Sequence, residues 1–314
     1  MFDWQYYLLK YPDLRANGIT TEQQAIQHWK SHGEKEGRKK SYLHDSSSSI
    51  NNNKLCIVSI FKNEAHIFEE WISHYIKEGV DIFYLIDNGS TDNYMSILDK
   101  YIKKGIVVLN KDDSKYKQVE LYNKYYLESA KKCDWVIVVD LDEFMYSRNG
   151  FNTIKDYLKS LNNNVNQICI PWKMFGSNGH ITQPDNVINN FLLRSSNKEE
   201  TILCKSIIRG SVLKKIDIHS SNSNNMSETY SSSGVLCNGD PNKQCISEEI
   251  LSNSMIHLNH YAIQSLEWFK NIKMTRGAAD QSVNENIRNL AYFEGYDHKD
   301  KLDDELKQKR MNYI

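Results

Sequence analysis

Between Lys54 and Val139 the chain alternates short apolar runs with longer amphipathic segments, and this alternation leaves few folds open to it. The runs Leu55 to Phe61, Ile82 to Ile86, Ile106 to Leu109 and Trp135 to Val139 are rich in β-branched and aromatic residues and read as strands buried on both faces. Between them lie segments of helical period: Glu64 to Lys77, with Ile67, Phe68, Trp71, Ile72 and Tyr75 inward, then Asp92 to Lys104 and Tyr116 to Lys132. Strands separated by helices of this length predict βαβ units, hence an α/β fold with a mostly parallel sheet and right-handed crossovers.

The fourth run ends in three carboxylates, Asp140, Asp142 and Glu143. Side chains alternate along a strand, so Asp140 and Asp142 leave the same face if the extended backbone continues through Leu141. Open α/β sheets bind ligands beyond the carboxyl ends of their strands, where this pair falls. Two such carboxylates repel unless a cation lies between them, and oxygen ligands suit Mg²⁺ or Mn²⁺ shared with substrate phosphates. The plainer alternative is an acidic turn leading into the next element. Two more polar loops follow predicted strands: Ser59 to Glu64, containing Asn63, and Asp87 to Asp92, D-N-G-S-T-D. Asp87 can accept hydrogen bonds from a base or ribose hydroxyl, and Asn88 with Gly89 supplies a turn that a ligand can approach closely. The same string is also ordinary turn chemistry, with Ser90 or Thr91 capping the next helix.

The remainder divides into a small N-terminal unit, a linker and a tail. Residues 1–45 carry Trp4, Tyr6, Tyr7, Leu8, Tyr11 and Leu14 on a short helix interrupted at Pro12. A second helix opens at Thr20 with capping residues and stops at His32-Gly33 and Gly37. This unit is too small to bury much alone and is expected to pack on the main domain, on a partner or on a second copy. The Ser- and Asn-rich stretch 46–53 reads as a flexible linker, and 54–295 as the principal domain. Within it, Ile168 to Trp172, Phe191 to Leu193 and Ile207 to Arg209 read as strands, 219–247 as a long mobile loop, and Ile263 to Met274 as a helix. Residues 296–314, rich in lysine, are expected to form a solvated helical tail.

A net charge of −1 supplies no basic field for nucleic acid or an anionic membrane. No apolar run approaches a membrane span, and the start of the chain does not read as a signal peptide, so a soluble cytoplasmic protein is expected. The six cysteines lack C-x-x-C spacing, which fits a reducing compartment; only Cys237 and Cys245 lie where a disulfide is conceivable.

The acidic blocks combine with others further on: P-W-K-M-F-G-S-N-G-H over 171–180, N-H-Y-A-I-Q-S over 259–265, then Arg276-Gly277. Together, from about Lys54 to Asp280, they resemble the family-2-like and family-92-like glycosyltransferases of the GT-A fold, and ordered blocks of this kind are far more specific than one D-x-D. Residues 1–45 resemble the short helical modules attached to some microbial and viral glycosyltransferases.

The resemblance implies metal-dependent transfer of a hexose from a nucleotide-diphosphate sugar, a UDP-sugar by preference, to the hydroxyl of a glycan or other acceptor, with inversion. It implies donor contacts from Ser59, Asn63, Glu64, Asp87, Asn88, Ser90, Asp140 and either Lys117 or Gln118, Gln118 preferred. Asp142 is the expected metal ligand, with Asp140 direct or through water, and His260 first among the histidines, ahead of His257 and His219. Trp172, Gly176, Ser177 and His180 are expected on the acceptor side, and Arg276 on the diphosphate. For the catalytic base the candidates are Glu143, Glu267 and Asp280, with Asp280 preferred and Glu143 able instead to orient ligands. Two alternatives compete. One is a nucleotidyltransferase, weakened by the absence of a glycine-rich basic loop after the first strand; the other is a non-catalytic nucleotide-sugar or glycan-binding protein derived from a transferase.

Overall fold

The computed structural model describes residues 2, 4–38, 53–196, 200–223, 229–234, 236–237, 240, 242–281 and 286–311. The expected linker falls almost entirely outside them. The N-terminal unit is helical, with α1 at Trp4–Lys10, α2 at Pro12–Ala16 and α3 at Glu22–His28. Pro12 opens α2, where its missing N–H costs nothing. Thr21 and Gln24 form a reciprocal capping box on α3. Tyr7, Leu8, Leu14 and Ala25 make a small core of their own. Arg15 donates to the Ser233 carbonyl, and Asn162 donates to the Lys10 carbonyl.

The α/β alternation is present in the main domain. Strands β1 (Leu55–Phe61), β2 (Ile82–Asp87), β3 (Val107–Lys111) and β4 (Trp135–Val138) are joined by α4 (Ala65–Lys77), α5 (Met95–Lys103) and α6 (Gln118–Ala130). All three pairings within this set are parallel. Alternate side chains of one strand go to opposite layers. Ile57, Phe83, Leu85 and Ile137 join Phe68, Trp71 and Tyr75 of α4. Cys56, Val58, Tyr84, Ile86 and Val136 join Tyr122 and Tyr126 of α6. With helices on both faces the strands need no polar side, which is why they read as unbroken apolar runs.

After β4 come β5 (Glu143–Ser147), β6 (Gln167–Met174), β7 (Leu193–Arg194), β8 (Glu200–Arg209), β9 (Leu213–Lys215) and β10 (Asn222–Ser223). They are followed by β11 (Thr229–Ser231), β12 (Lys243–Ile246) and β13 (Ile256–His260). The main sheet runs β3-β2-β1-β4-β8-β6-β13-β5, with β11 beside β6 and β12 beside β8. Strand β8 is antiparallel to both β4 and β6, and β5 is antiparallel to β13.

Four expectations are corrected. Strand β8 runs ten residues rather than three, with Lys205 buried inside it. The stretch 219–247 is not simply a loop, since β11 and β12 pair with the main sheet and Ser221 and Thr229 are buried. Helix α5 starts at Met95 rather than Asp92, because the Asp92 carboxylate instead accepts the Ala65 amide and Ser90 accepts that of Asn63. The last helix, Glu305–Met311, is not a solvated tail. Its Leu306 is buried, Lys309 reaches Glu78 at the C-cap of α4, and Arg310 reaches Glu70 on the buried face of α4. Just before it, Asp303 pairs with fully buried Lys173 at 2.9 Å.

Candidate active site

In the order β3-β2-β1-β4 the chain steps outward from β1 to β3 and then returns to the other side of β1. The reversal opens a crevice at the carboxyl ends of β1 and β4, the place where open α/β sheets bind ligands. A cleft of about 410 Å³ lies there, lined among others by Glu64, Asn88, Gln118, Asp140, Asp142, Trp172, His219, His260, Lys273, Arg276, Asp280 and Arg288.

The acids reach it by a turn and not by continued extension. The Glu143 amide donates to the Asp140 carbonyl at 3.2 Å, so the backbone folds over Leu141 before β5 begins. Both aspartates nevertheless line the cleft. The next carboxylate is withdrawn from it: Glu143 is fully buried and accepts the Asp140 amide at 2.8 Å. Burial pushes the Glu143 carboxyl up to about 7, against the opposing pull of Lys205.

Each aspartate has its own lysine. The Lys205 ammonium, 1% exposed in the middle of β8, sits 2.8 Å from Asp140 Oδ2 and 3.4 Å from Glu143. Lys273 Nζ donates to Asp142 Oδ2 at 2.5 Å, and His260 Nε2 is 3.5 Å from Asp142 Oδ1. Burial pushes the Asp142 carboxyl up, but the charges of Lys273 and His260 outweigh it and hold the group well below its ordinary range. For Asp140 burial likewise pushes up and Lys205 prevails, so it too is held down. Both acids are anionic at neutral pH.

Asp142 and His260 are the residues that would hold a divalent ion, with Lys273 turned aside. Two ligands of one octahedral ion at ~2.1 Å lie about 3 Å apart, close to the Asp142–His260 separation. Among the described residues no three His, Cys, Asp or Glu side chains converge to hold an ion unaided. Phosphate oxygens would have to complete the shell, as is usual for Mg²⁺ and similar ions.

Comparison with known proteins gives the chemistry a class. The sequence profile described as glycosyltransferase family 92 matches residues 52–292. The chain belongs to glycosyltransferase family 92. It is therefore a transferase, and the α/β fold is of the GT-A type. No curated protein matches it. Among solved structures it is similar to S. aureus TarS 1–349 in complex with UDP, at 18% identity and TM-score 0.34, covering 51% of this chain and 48% of that one. The same fragment in complex with UDP-GlcNAc aligns at 16% identity and TM-score 0.33, over 51% of this chain and 46% of that one. S. aureus TarS aligns at 15% and 0.38, over 77% and 43%. The chain thus spans less than half the length of each.

The cleft of this family-92 glycosyltransferase gathers Glu64, Asn88, Gln118, Asp140, Asp142, Trp172, His219, His260, Arg276 and Asp280 from the sequence-derived set. Gln118 is buried 3.5 Å from Asp140 Oδ1, whereas neighbouring Lys117 points to solvent and pairs with Glu120. Arg276 donates to Glu64 and to the Lys62 carbonyl. The Trp172 ring lies 4.5 Å from that of His260, tilted by 53°.

Other members of the set lie outside the lining. Asp87 accepts the Ser90 amide and the Tyr94 hydroxyl, Asn63 and Ser90 lock the two loops together, and Ser59 is buried within β1. Gly176 packs against the backbone at His298, where a Cβ would come within 2.2 Å of the carbonyl oxygen. The Ser177 amide donates to Asp297, and His180 bonds the Asn190 carbonyl. Glu267 is exposed on the helix that follows the N-H-Y block. His257, on β13, bonds Glu305 and the Leu251 carbonyl. Sequence reasoning missed Lys205, Lys273 and Arg288. The usable signal was a lysine inside an apolar strand, and cations spaced along the segment after Ser265.

Proposed function

We propose that this glycosyltransferase moves a hexose from a UDP-linked sugar to an acceptor hydroxyl with inversion, using Mn²⁺ or Mg²⁺ held by Asp142 and His260. The observation that carries this is the anionic Asp140–Asp142 pair at the strand-order reversal, ringed by Lys273, Arg276 and Arg288 in one cleft. Bound there with the donor's phosphates, the ion supplies positive charge to the departing diphosphate. Asn88 and Gln118 offer their side-chain carbonyl oxygens to the nucleoside end. Their N–H groups are held by the Asp112 and Ser114 carbonyls and by Tyr122 and Asp140, and Lys205 keeps Asp140 fixed in direction. Trp172 offers an aromatic face to the sugar C–H surface. Asp280 is the base: it is exposed and lines the cleft, whereas Glu143 is held in the protein interior and Glu267 is outside. It takes the acceptor hydroxyl proton as that oxygen bonds to the anomeric carbon and the carbon–diphosphate bond breaks.

Incubation with a panel of nucleotide sugars, Mn²⁺ and simple glycan acceptors should release nucleoside diphosphate, and Asp142→Ala should reduce turnover by at least ~100-fold. Absence of nucleotide binding with or without metal would overturn the proposal. Nucleotide binding without hydrolysis or transfer across the panel would instead favour a non-catalytic binder.

A further inference from the structure

The segment after Ser265 winds as a short helix, Leu266–Trp268, then a wide π turn, Phe269–Lys273, then Met274–Arg276. Wide turns of this kind recur at functional sites because the extra residue re-aims those after it. Here the segment delivers Lys273 and Arg276 to the cleft, and Arg288 follows.

The three cations are not equivalent. Arg276 is committed to Glu64 and the Lys62 carbonyl. Arg288 donates to the Gly277 carbonyl at 2.9 Å, and its Nε is buried without a partner among the described residues. Lys273 is 5% exposed and, among the described residues, donates to Asp142 alone. An ammonium has further N–H donors; among the described residues these meet no oxygen or nitrogen acceptor, only the Trp268 ring with its centroid 5.6 Å away. Lys273 and Arg288 also feel each other's charge. Unspent donors on two mutually repelling cations beside one cleft call for an anion bearing several oxygens.

We propose that Lys273 and Arg288 form a phosphate subsite that works without metal and takes the terminal phosphate of a nucleoside diphosphate. In the empty cleft Lys273 is the counter-ion of Asp142. When the diphosphate arrives, the ammonium turns from Asp142 to the phosphate oxygens and frees that carboxylate for the ion. Nucleotide therefore binds before metal, and metal alone binds weakly because it must displace a resident cation. This rests on the nucleotide-sugar function proposed above.

The test is calorimetry of the whole chain with UDP and with uridine in excess chelator, paired with Mn²⁺ titration followed by electron paramagnetic resonance. Wild type should bind UDP at least ~10-fold more tightly than uridine without metal, the size of one charge-assisted hydrogen bond. Lys273→Met and Arg288→Gln should each weaken metal-free UDP binding by about 10-fold. Lys273→Met alone should bind Mn²⁺ more tightly than wild type in the absence of nucleotide, and Lys273→Arg should restore metal-free UDP binding. If Lys273→Met fails to fold, Arg288→Gln and Lys273→Arg carry the comparison. Equal binding of UDP and uridine to wild type without metal would overturn the subsite, as would variants indistinguishable from wild type. Absence of UDP binding to wild type under every condition would instead sink the underlying functional proposal.

Discussion

Lys205 shows how much one side chain decides at the residue scale. It forms ion pairs with both Asp140 and Glu143, at 2.8 and 3.4 Å, and it is 1% exposed. Removing one partner strands the others, at a cost of about 1–3 kcal/mol because Asp140 is 36% exposed to the cleft and only Glu143 is fully buried. Lys205→Met should lower unfolding stability by that amount in urea denaturation, with the Asp140 carboxylate no longer fixed in direction. Buried histidines govern acid sensitivity. His74 donates from Nε2 to the Met145 carbonyl, and burial depresses it to about 3; burial depresses His257 to about 4, against the pull of Glu305. The unfolded chain therefore takes up protons near pH 6.5 that the folded chain refuses, and stability is lost as pH falls from there toward 4. At pH 5 each histidine should contribute about 2 kcal/mol of that loss. Glu143, raised to about 7, gains a proton on folding over the same window and offsets about one histidine, so urea midpoints recorded from pH 7 to 5 should show a net decline that His74→Gln flattens. An unchanged slope would refute the assignment.

Elements differ in how openly the sequence announces them. Strands β1, β2 and β4 are buried along nearly their whole length, so their apolar runs are unbroken and legible; β3 lies at the sheet edge with Val108 exposed, and its apolar start alone announced it. Strands β5 and β13 were not, because they bury polar groups that local pattern cannot resolve. Glu143 begins β5, and β13 alternates His257, Asn259 and His260 with apolar residues while every position is buried. Strand β8 was truncated to its apolar end because Lys205 interrupts the run, though the partners that bury it lie more than sixty positions earlier. The acid pair and His260 were legible as motifs; Lys273 was not, since a lysine near a helix end ordinarily faces water. The F-G-S-N-G-H block proves to be a packing junction at Gly176. Gly176→Ala would force a Cβ to 2.2 Å from the His298 carbonyl oxygen and 2.7 Å from its nitrogen, both backbone atoms. The melting temperature should fall, by the equivalent of about 1–3 kcal/mol, and limited proteolysis should open the segment near Asp297 first.

Taken as a whole, the molecule gathers its cleft in one domain, and the N-terminal unit touches that domain through Arg15 and Lys10 without entering the cleft. Every cleft residue lies at or after Ile60, and the helical unit has a core of its own. A chain beginning at Asn53 should keep its fold and its nucleotide affinity within about twofold, as measured by calorimetry; a larger loss would give the unit a part in the site. The other end behaves oppositely. Lys173, Glu78 and Glu70 lie in the interior, and Asp303, Lys309 and Arg310 neutralise them. During synthesis the sheet must wait with those charges uncompensated until the ribosome has released the segment through Arg310. A polypeptide cut before Asp303 would retain the loops of the cleft yet leave Lys173, Glu78 and Glu70 without those counter-charges, and its interior would be open to proteases.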